Sequence, residues 1–184
     1  MFPTTTTFNP GPTNPGTPGT TGKPVFFHYM IGTISDEHCK KDILDAKALG
    51  SDAFALNINT VDASWATNTV ESLFKHAAEQ GYKLFFSFDM TGFNNPRQFI
   101  NFLRKYAGHP AHYRYNGRPF VSTFNGGQNT FGYSTVSEGW RQELQDPMAR
   151  GDSSHPSQPI YFVPAFQDVT ITSSFYSTFP TLDG

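Results

Sequence analysis

Charge is scarce in this chain, and so is cysteine. Only 15% of the 184 residues are Asp, Glu, Lys or Arg, and the formal net charge is −2. That balance offers no electrostatic case for nucleic acid or for an anionic membrane surface. A single cysteine, Cys39, excludes an internal disulfide framework and a cysteine-based zinc site. Its place among apolar positions of an expected helix reads as a buried, inert thiol. No apolar run approaches the roughly 20 residues that a membrane-spanning helix needs. There is no Gly-rich phosphate loop, no HExxH and no G-x-S-x-G elbow. These absences argue against phosphoryl transfer, metalloprotease and serine-hydrolase chemistry, and no cofactor or metal is expected.

Aromatic residues are abundant, at 16% with 19 Phe. Residues 1–22, MFPTTTTFNPGPTNPGTPGTTG, stand apart: they carry no charge and little apolar surface. Such a Thr/Pro/Gly segment buries too little to offset its chain entropy and reads as a disordered linker. It has neither the basic start nor the apolar stretch of a signal peptide. The remaining residues, 23–184, read as one domain.

From Lys23 onward one pattern repeats. Apolar runs at PVFFHYM (24–30), DAFALNIN (52–59), KLFFSFDM (83–90), RPFVSTFN (118–125) and PIYFVPAF (159–166) recur at βαβ spacing. Between them, Val70, Leu73, Phe74, Ala77 and Ala78 follow a helical period, as do Phe99, Phe102, Leu103 and Tyr106. Ser35 is an expected helix cap. Asn68 precedes Glu71 at capping-box spacing, and Asn95-Pro96 reads as a cap followed by proline at the first helical position. Gly50, Gly81 and Gly108 mark expected helix ends.

Alternating strands and helices imply a parallel sheet covered by helices, either doubly wound or a (β/α)8 barrel. The strand faces favour the barrel. Phe54, Leu56 and Ile58 alternate with Ala53, Ala55, Asn57 and Asn59; Leu84, Phe86 and Phe88 alternate with Phe85, Ser87 and Asp89. In the fourth run Phe120, Ser122 and Phe124 read as the bulky outer face and Val121, Thr123 and Asn125 as the inner one. Bulky side chains then pack under helices, while the opposite face turns polar toward the C-terminal strand ends, where barrel enzymes keep their chemistry. The fold class expected is α/β, a partial (β/α)8 barrel of about five βα units.

The inner-face polar residues form the candidate site: His28, Asn57, Asn59, Asp89 and Asn125. For any one of them the competing reading is a turn former at a strand end. As a set they are amides, hydroxyls, one imidazole and one carboxylate beside aromatic rings, which suits a neutral polyhydroxylated ligand, a sugar. Hydrolysis of a glycosidic bond usually needs two carboxylates; Asp89 is one, and Asp168 is a weak candidate for the second.

KPVFFHYMIG, LGSDAFALNIN, GYKLFFSFDM, NGRPFVSTFNG and IYFVPAF, in that order, resemble the N-terminal half of fungal glycoside hydrolase family 71, the α-1,3-glucanases or mutanases. The resemblance implies a secreted, endo-acting, inverting hydrolase of α-1,3-glucan in the fungal cell wall. It also implies a (β/α)8 catalytic domain that carries no cofactor. The fourth-strand pattern S-T-F-E-G reads here as Ser122-Thr123-Phe124-Asn125-Gly126, and Asn cannot exchange a proton as an acid or base. The W-N-D-[YF]-G-E-S segment that carries the family's acid/base pair is not among these residues, so that pair is expected beyond Gly184. Asp89 is then expected to bind sugar hydroxyls. The chain reads as an incomplete, inactive fragment of such an enzyme, with self-association expected through open sheet edges. The alternatives are a non-catalytic α-glucan-binding remnant and a structural α/β protein.

Overall fold

The computed structural model describes residues 22–184. The Thr/Pro/Gly linker therefore lies outside the described residues except for Gly22. The strands are β1 (Phe26–Met30), β2 (Ala53–Ile58), β3 (Lys83–Asp89), β4 (Arg114–Tyr115), β5 (Arg118–Phe124) and β6 (Tyr161–Phe162). The helices are α1 (Asp36–Ala48), α2 (Ser64–Gln80), α3 (Ile100–Ala107), α4 (Val136–Trp140), α5 (Asp146–Arg150) and α6 (Phe175–Thr178). A 3₁₀ turn at Pro96–Gln98 precedes α3, and a π-helical turn at Arg141–Gln145 joins α4 to α5.

β1, β2, β3, β5 and β6 lie side by side in that order, all parallel. A doubly wound sheet reverses its strand order at a switch point; this one advances in one direction. It is an arc of a (β/α)8 barrel, not closed. The short β4 pairs antiparallel with β5 through a two-residue turn at Asn116 (φ 49°) and Gly117 (φ 75°). Positive φ at both central residues is what a tight hairpin demands and what Asn-Gly supplies.

Local signals explain the helix ends. The Ser35 hydroxyl accepts from the His38 amide at 3.3 Å, with Asp36 and Glu37 in the first turn of α1. Gly81 ends α2 in the left-handed region at φ 64°. α2 starts earlier than the Asn68–Glu71 spacing suggests, at Ser64, so Asn68 lies inside the helix. The capping box forms instead at Asn95, whose side chain accepts from the Arg97 amide at 2.8 Å while Gln98 accepts from the Asn95 amide at 3.1 Å.

The main core fills the layer between sheet and helices. Leu56, Ile58, Leu84, Phe86 and Phe88 from the strands meet Leu73, Phe74 and Leu103 from α2 and α3. A smaller cluster plugs the opposite, inner face: Ala53, Phe85 and Tyr113, with Phe26 and Phe120 packed against them. The faces of β2 and β3 match the sequence alternation, but the face of β5 is reversed. Val121 and Thr123 are fully buried and pair with Phe86 and Phe88, so they belong to the helix side. Ser122 pairs with Ser87 on the inner side. Side-chain bulk misleads here because the floor of the arc is itself aromatic, so a large residue such as Phe120 does not mark the outside.

The two edges of the arc differ. Beside β6, the amide of Asp183 donates to the Phe162 carbonyl at 3.0 Å and its carboxylate accepts from the Phe162 amide at 2.8 Å. Arg118 holds the same carboxylate at 2.6 Å. Residue 183 thus occupies the place of a neighbouring strand. At the ends of β1, the Val25 carbonyl accepts from the Asp52 amide just before β2 and the Ile31 amide donates to the Asn57 carbonyl. By strand alternation the backbone groups of Phe26, His28 and Met30 point away from β2, and among the described residues no strand lies beside them.

Candidate functional site

The inner face of the arc forms a cavity of about 620 Å³. Its floor is aromatic, from Phe26, Phe85 and Phe120; Phe124 stands higher on the wall, and His28, Ser87, Ser122 and Gln167 supply polar groups. Strand register sets the levels. His28 stands beside Ala55, and Ala55 beside Phe85. One level up, Met30, Asn57, Ser87 and Ser122 form a row across four strands. Asp89 and Phe124 form the next level, and Phe124 bridges to Ala165. Polarity enters above the floor because β3 replaces Phe85 with Ser87 and β5 replaces Phe120 with Ser122 two positions on, while β2 passes from Ala55 to Asn57.

The five residues singled out from the sequence take different places. His28 lines the cavity and is exposed to solvent. Asn57 lies on the same face, 3% exposed, in the row with Ser87. Asn59 lies just past the end of β2 and is exposed. The β3–α3 loop crosses close above it: a Cβ on Gly92 would fall 2.2 Å from the Asn59 carbonyl oxygen, so only glycine permits that approach. Asp89 ends β3, half-buried, and its Oδ1 accepts from the Thr91 amide at 3.0 Å and the Thr91 hydroxyl at 2.7 Å. One of its oxygens is thus committed to the turn that follows. Asn125 lies beyond the end of β5 in the left-handed region (φ 60°), with its amide donating to the Ala165 carbonyl at 3.0 Å. The structure brings His28 and Asn57 onto one face with Ser87 and Ser122. It sets Asn59 and Asn125 at the rim.

Two further carboxylates near the C-terminal end, Asp168 and Glu143, are engaged within the fold. Asp168 accepts from the Gly127 amide at 3.0 Å through Oδ1 and from the Gly126 amide at 3.3 Å through Oδ2. Glu143, 3% exposed, accepts from Arg97 and from the Tyr133 hydroxyl at 2.9 Å. Burial pushes the Glu143 carboxyl up, but the Arg97 guanidinium and the Tyr133 hydroxyl outweigh it and hold the group below the usual range. This pair ties the 3₁₀ turn before α3 to the π-helical turn after α4. The two residues are 46 positions apart, and no local pattern announces them. Among the described residues lining the cavity there is neither Asp nor Glu. Nor is any group of three or more His, Cys, Asp and Glu among the described residues placed to hold a metal ion.

The site is thus a one-directional βα arc that presents hydroxyls, amides and an imidazole over an aromatic floor. Among solved structures the chain is similar to the GH99 endo-alpha-mannosidase of Bacteroides thetaiotaomicron in complex with Bis-Tris propane. The TM-score is 0.63 over 87% of this chain and 56% of that one, at 16% identity, a likeness of fold alone. A second structure of that enzyme gives a TM-score of 0.55. The sequence is more specific: the glycosyl hydrolase family 71 profile matches residues 21–184, and the chain belongs to that family. It is 40% identical over 152 residues to a glucan endo-1,3-alpha-glucosidase of Schizosaccharomyces pombe, covering 78% of this chain and 34% of that protein. A mutanase of Penicillium rubens is 35% identical, with 79% of this chain and 30% of that protein covered. An ascus wall endo-1,3-alpha-glucanase of S. pombe is 25% identical over 169 residues, 88% of this chain and 37% of that protein. The chain spans about a third of the length of these curated relatives.

Proposed function

We propose that this chain forms five βα units of the barrel of a secreted, inverting α-1,3-glucanase acting on fungal cell-wall glucan. In this reading its inner face is a wall of the sugar-binding site. Membership of glycosyl hydrolase family 71 carries the reaction class. The names of the relatives, glucan endo-1,3-alpha-glucosidase and mutanase, support the substrate. The cavity supports the division of labour. Inversion uses one carboxylic acid to protonate the leaving oxygen and one carboxylate to activate water, about 6.5–9.5 Å apart. Neither group lines the cavity among the described residues.

Neutral hydrogen-bonding groups and rings serve to bind and orient instead. The imidazole of His28, the hydroxyls of Ser87 and Ser122 and the amide of Gln167 suit sugar hydroxyls, with the buried Asn57 behind them. Phe120 and Phe124 offer faces for the C–H side of a pyranose. Asp89, Asn59 and Asn125 contribute at the rim. Asp89 can accept from a sugar hydroxyl through the oxygen that Thr91 leaves free. The acid and base come from another part of the enzyme. The absence of a carboxylate in the cavity also favours a second reading, a glucan-binding protein without turnover.

Two measurements on the purified 184-residue chain test this. Calorimetry with α-1,3-linked gluco-oligosaccharides is expected to show binding, and reducing-end release from insoluble α-1,3-glucan is expected to show none. No binding overturns the carbohydrate reading. Turnover that Asp89→Asn abolishes overturns the assignment of Asp89 to binding.

A further inference from the structure

Beyond the C-terminal ends of β5 and β6 the sheet no longer holds its two strands together. Phe124 bridging Ala165 and the Asn125 amide bonded to the Ala165 carbonyl are the last ladder contacts. Past that point both chains turn away, and both have just contributed a cavity residue, Phe124 on one side and Gln167 on the other. We propose that Asp168 is a positioning residue of the carbohydrate site, setting the separation of these two walls; this rests on reading the cavity as a glucan site.

The geometry is that of a clasp. Each oxygen of the Asp168 carboxylate takes one backbone amide, from Gly126 and from Gly127. The Asp168 carbonyl takes the Gln128 side-chain amide at 2.8 Å, so the clasp is closed from both of its polar groups. The indole of Trp140 donates to the Gly126 carbonyl at 3.0 Å from the far side. The turn itself requires unusual backbone: Asn125 has φ 60° and Gly126 φ 97°. No side chain fits inside it. A Cβ on Gly126 would lie 2.8 Å from the Trp140 ring, and one on Gly127 would lie 2.3 Å from a Val169 methyl group. A left-handed asparagine followed by two glycines persists where its surroundings over-determine it, and here Asp168 supplies the polar part of that determination.

The carboxylate is engaged with backbone amides at the back of the turn, so it acts on a sugar only through the residues it places. Phe124 lies two positions before Gly126, and Gln167 immediately precedes Asp168. A change in the clasp moves a stacking ring and an amide together, at one end of the cavity. His28 and Ser87 lie on strands that the clasp does not touch.

The test uses the full chain, with Asp168→Ala and Asp168→Asn against Ile43→Ala, a destabilising change in the buried face of α1. Affinity for an α-1,3-gluco-oligosaccharide, thermal stability and hydrogen exchange are read together. Asp168→Ala is expected to speed exchange at 124–128 and 165–168 and to weaken binding by about tenfold or more, the scale on which losing a charge-assisted hydrogen bond acts. Asp168→Asn keeps one acceptor for Gly127 but turns an N–H toward Gly126, so its loss of affinity is smaller. Ile43→Ala is expected to lower the melting temperature and leave affinity unchanged. Unchanged exchange at 124–128 in Asp168→Ala overturns the clasp. Equal affinity of Asp168→Ala and the unaltered chain, with exchange altered, overturns its service to the site. No binding by the unaltered chain overturns the glucan reading and with it the site that Asp168 would position.

Discussion

Acidification is predicted to weaken the fold through one histidine. His112 lies under α3 beside the rings of Phe74 and Phe86, fully buried. Its Nε2 faces the Phe120 carbonyl at 3.0 Å, and a carbonyl only accepts, so Nε2 carries the proton. Nδ1 has no partner. Burial pulls the imidazole down to about 4 from its ordinary 6.5, against the opposing pull of the Phe120 and Tyr106 carbonyls. As pH falls through the ordinary imidazole range the unfolded chain takes up a proton that the folded chain refuses. Stability is therefore complete above that range and is lost on the way down to the folded value. At about 1.4 kcal/mol per pKa unit the loss between pH 7 and pH 4 is about 3 kcal/mol, with about 2 kcal/mol gone by pH 5. Carboxylates titrate over part of this window too. The measurement is therefore the difference between the unaltered chain and His112→Gln, whose amide reaches the same carbonyl and does not titrate. Urea melts at four pH values give it. Curves that fall in parallel, within about 1 kcal/mol across the range, would refute the reasoning.

Two further outcomes follow from packing and from the open edge. Phe88→Ala removes a fully buried ring stacked on Phe99 at 3.8 Å and 11°. It is expected to cost about 3–5 kcal/mol in a denaturant melt, and a loss below about 1 kcal/mol would mean that the β3–α3 layer repacks. The edge of β1, whose last residue Met30 is 61% exposed, is expected to pair with a second copy of the chain. Size-exclusion chromatography should show a species larger than a monomer, and Met30→Lys should return it to a monomer by placing a charge at the edge. A monomer at every concentration would refute this.

Much of the arc is legible in the sequence because its two periodicities do not conflict. Leu84, Phe86 and Phe88 alternate cleanly with Ser87 and Asp89, and α2 and α3 carry their own apolar stripes. β5 defeats the same rule, since Phe120 and Phe124 are large and face inward. The short β4 is announced by Asn116-Gly117, a hairpin signal that counting apolar runs passes over. The site is harder to read. Chain position places Asp89 and Asp168 at strand ends, but a carboxylate that closes a turn looks the same in sequence as one aimed at a ligand. The Arg97–Glu143 pair depends on two loops meeting, which no spacing encodes.

Asp183 has a consequence for synthesis on the ribosome. By giving Phe162 both an acceptor and a donor, it closes the β6 edge of the sheet once residue 183 has left the ribosome and folded back. β6 is thus shielded once residue 183 is seated. From then on, exposure to wrong partners is concentrated at β1, the oldest edge, which Asp183 does not reach. With residue 183 seated, the nascent arc offers neighbouring polysomes one reactive border instead of two.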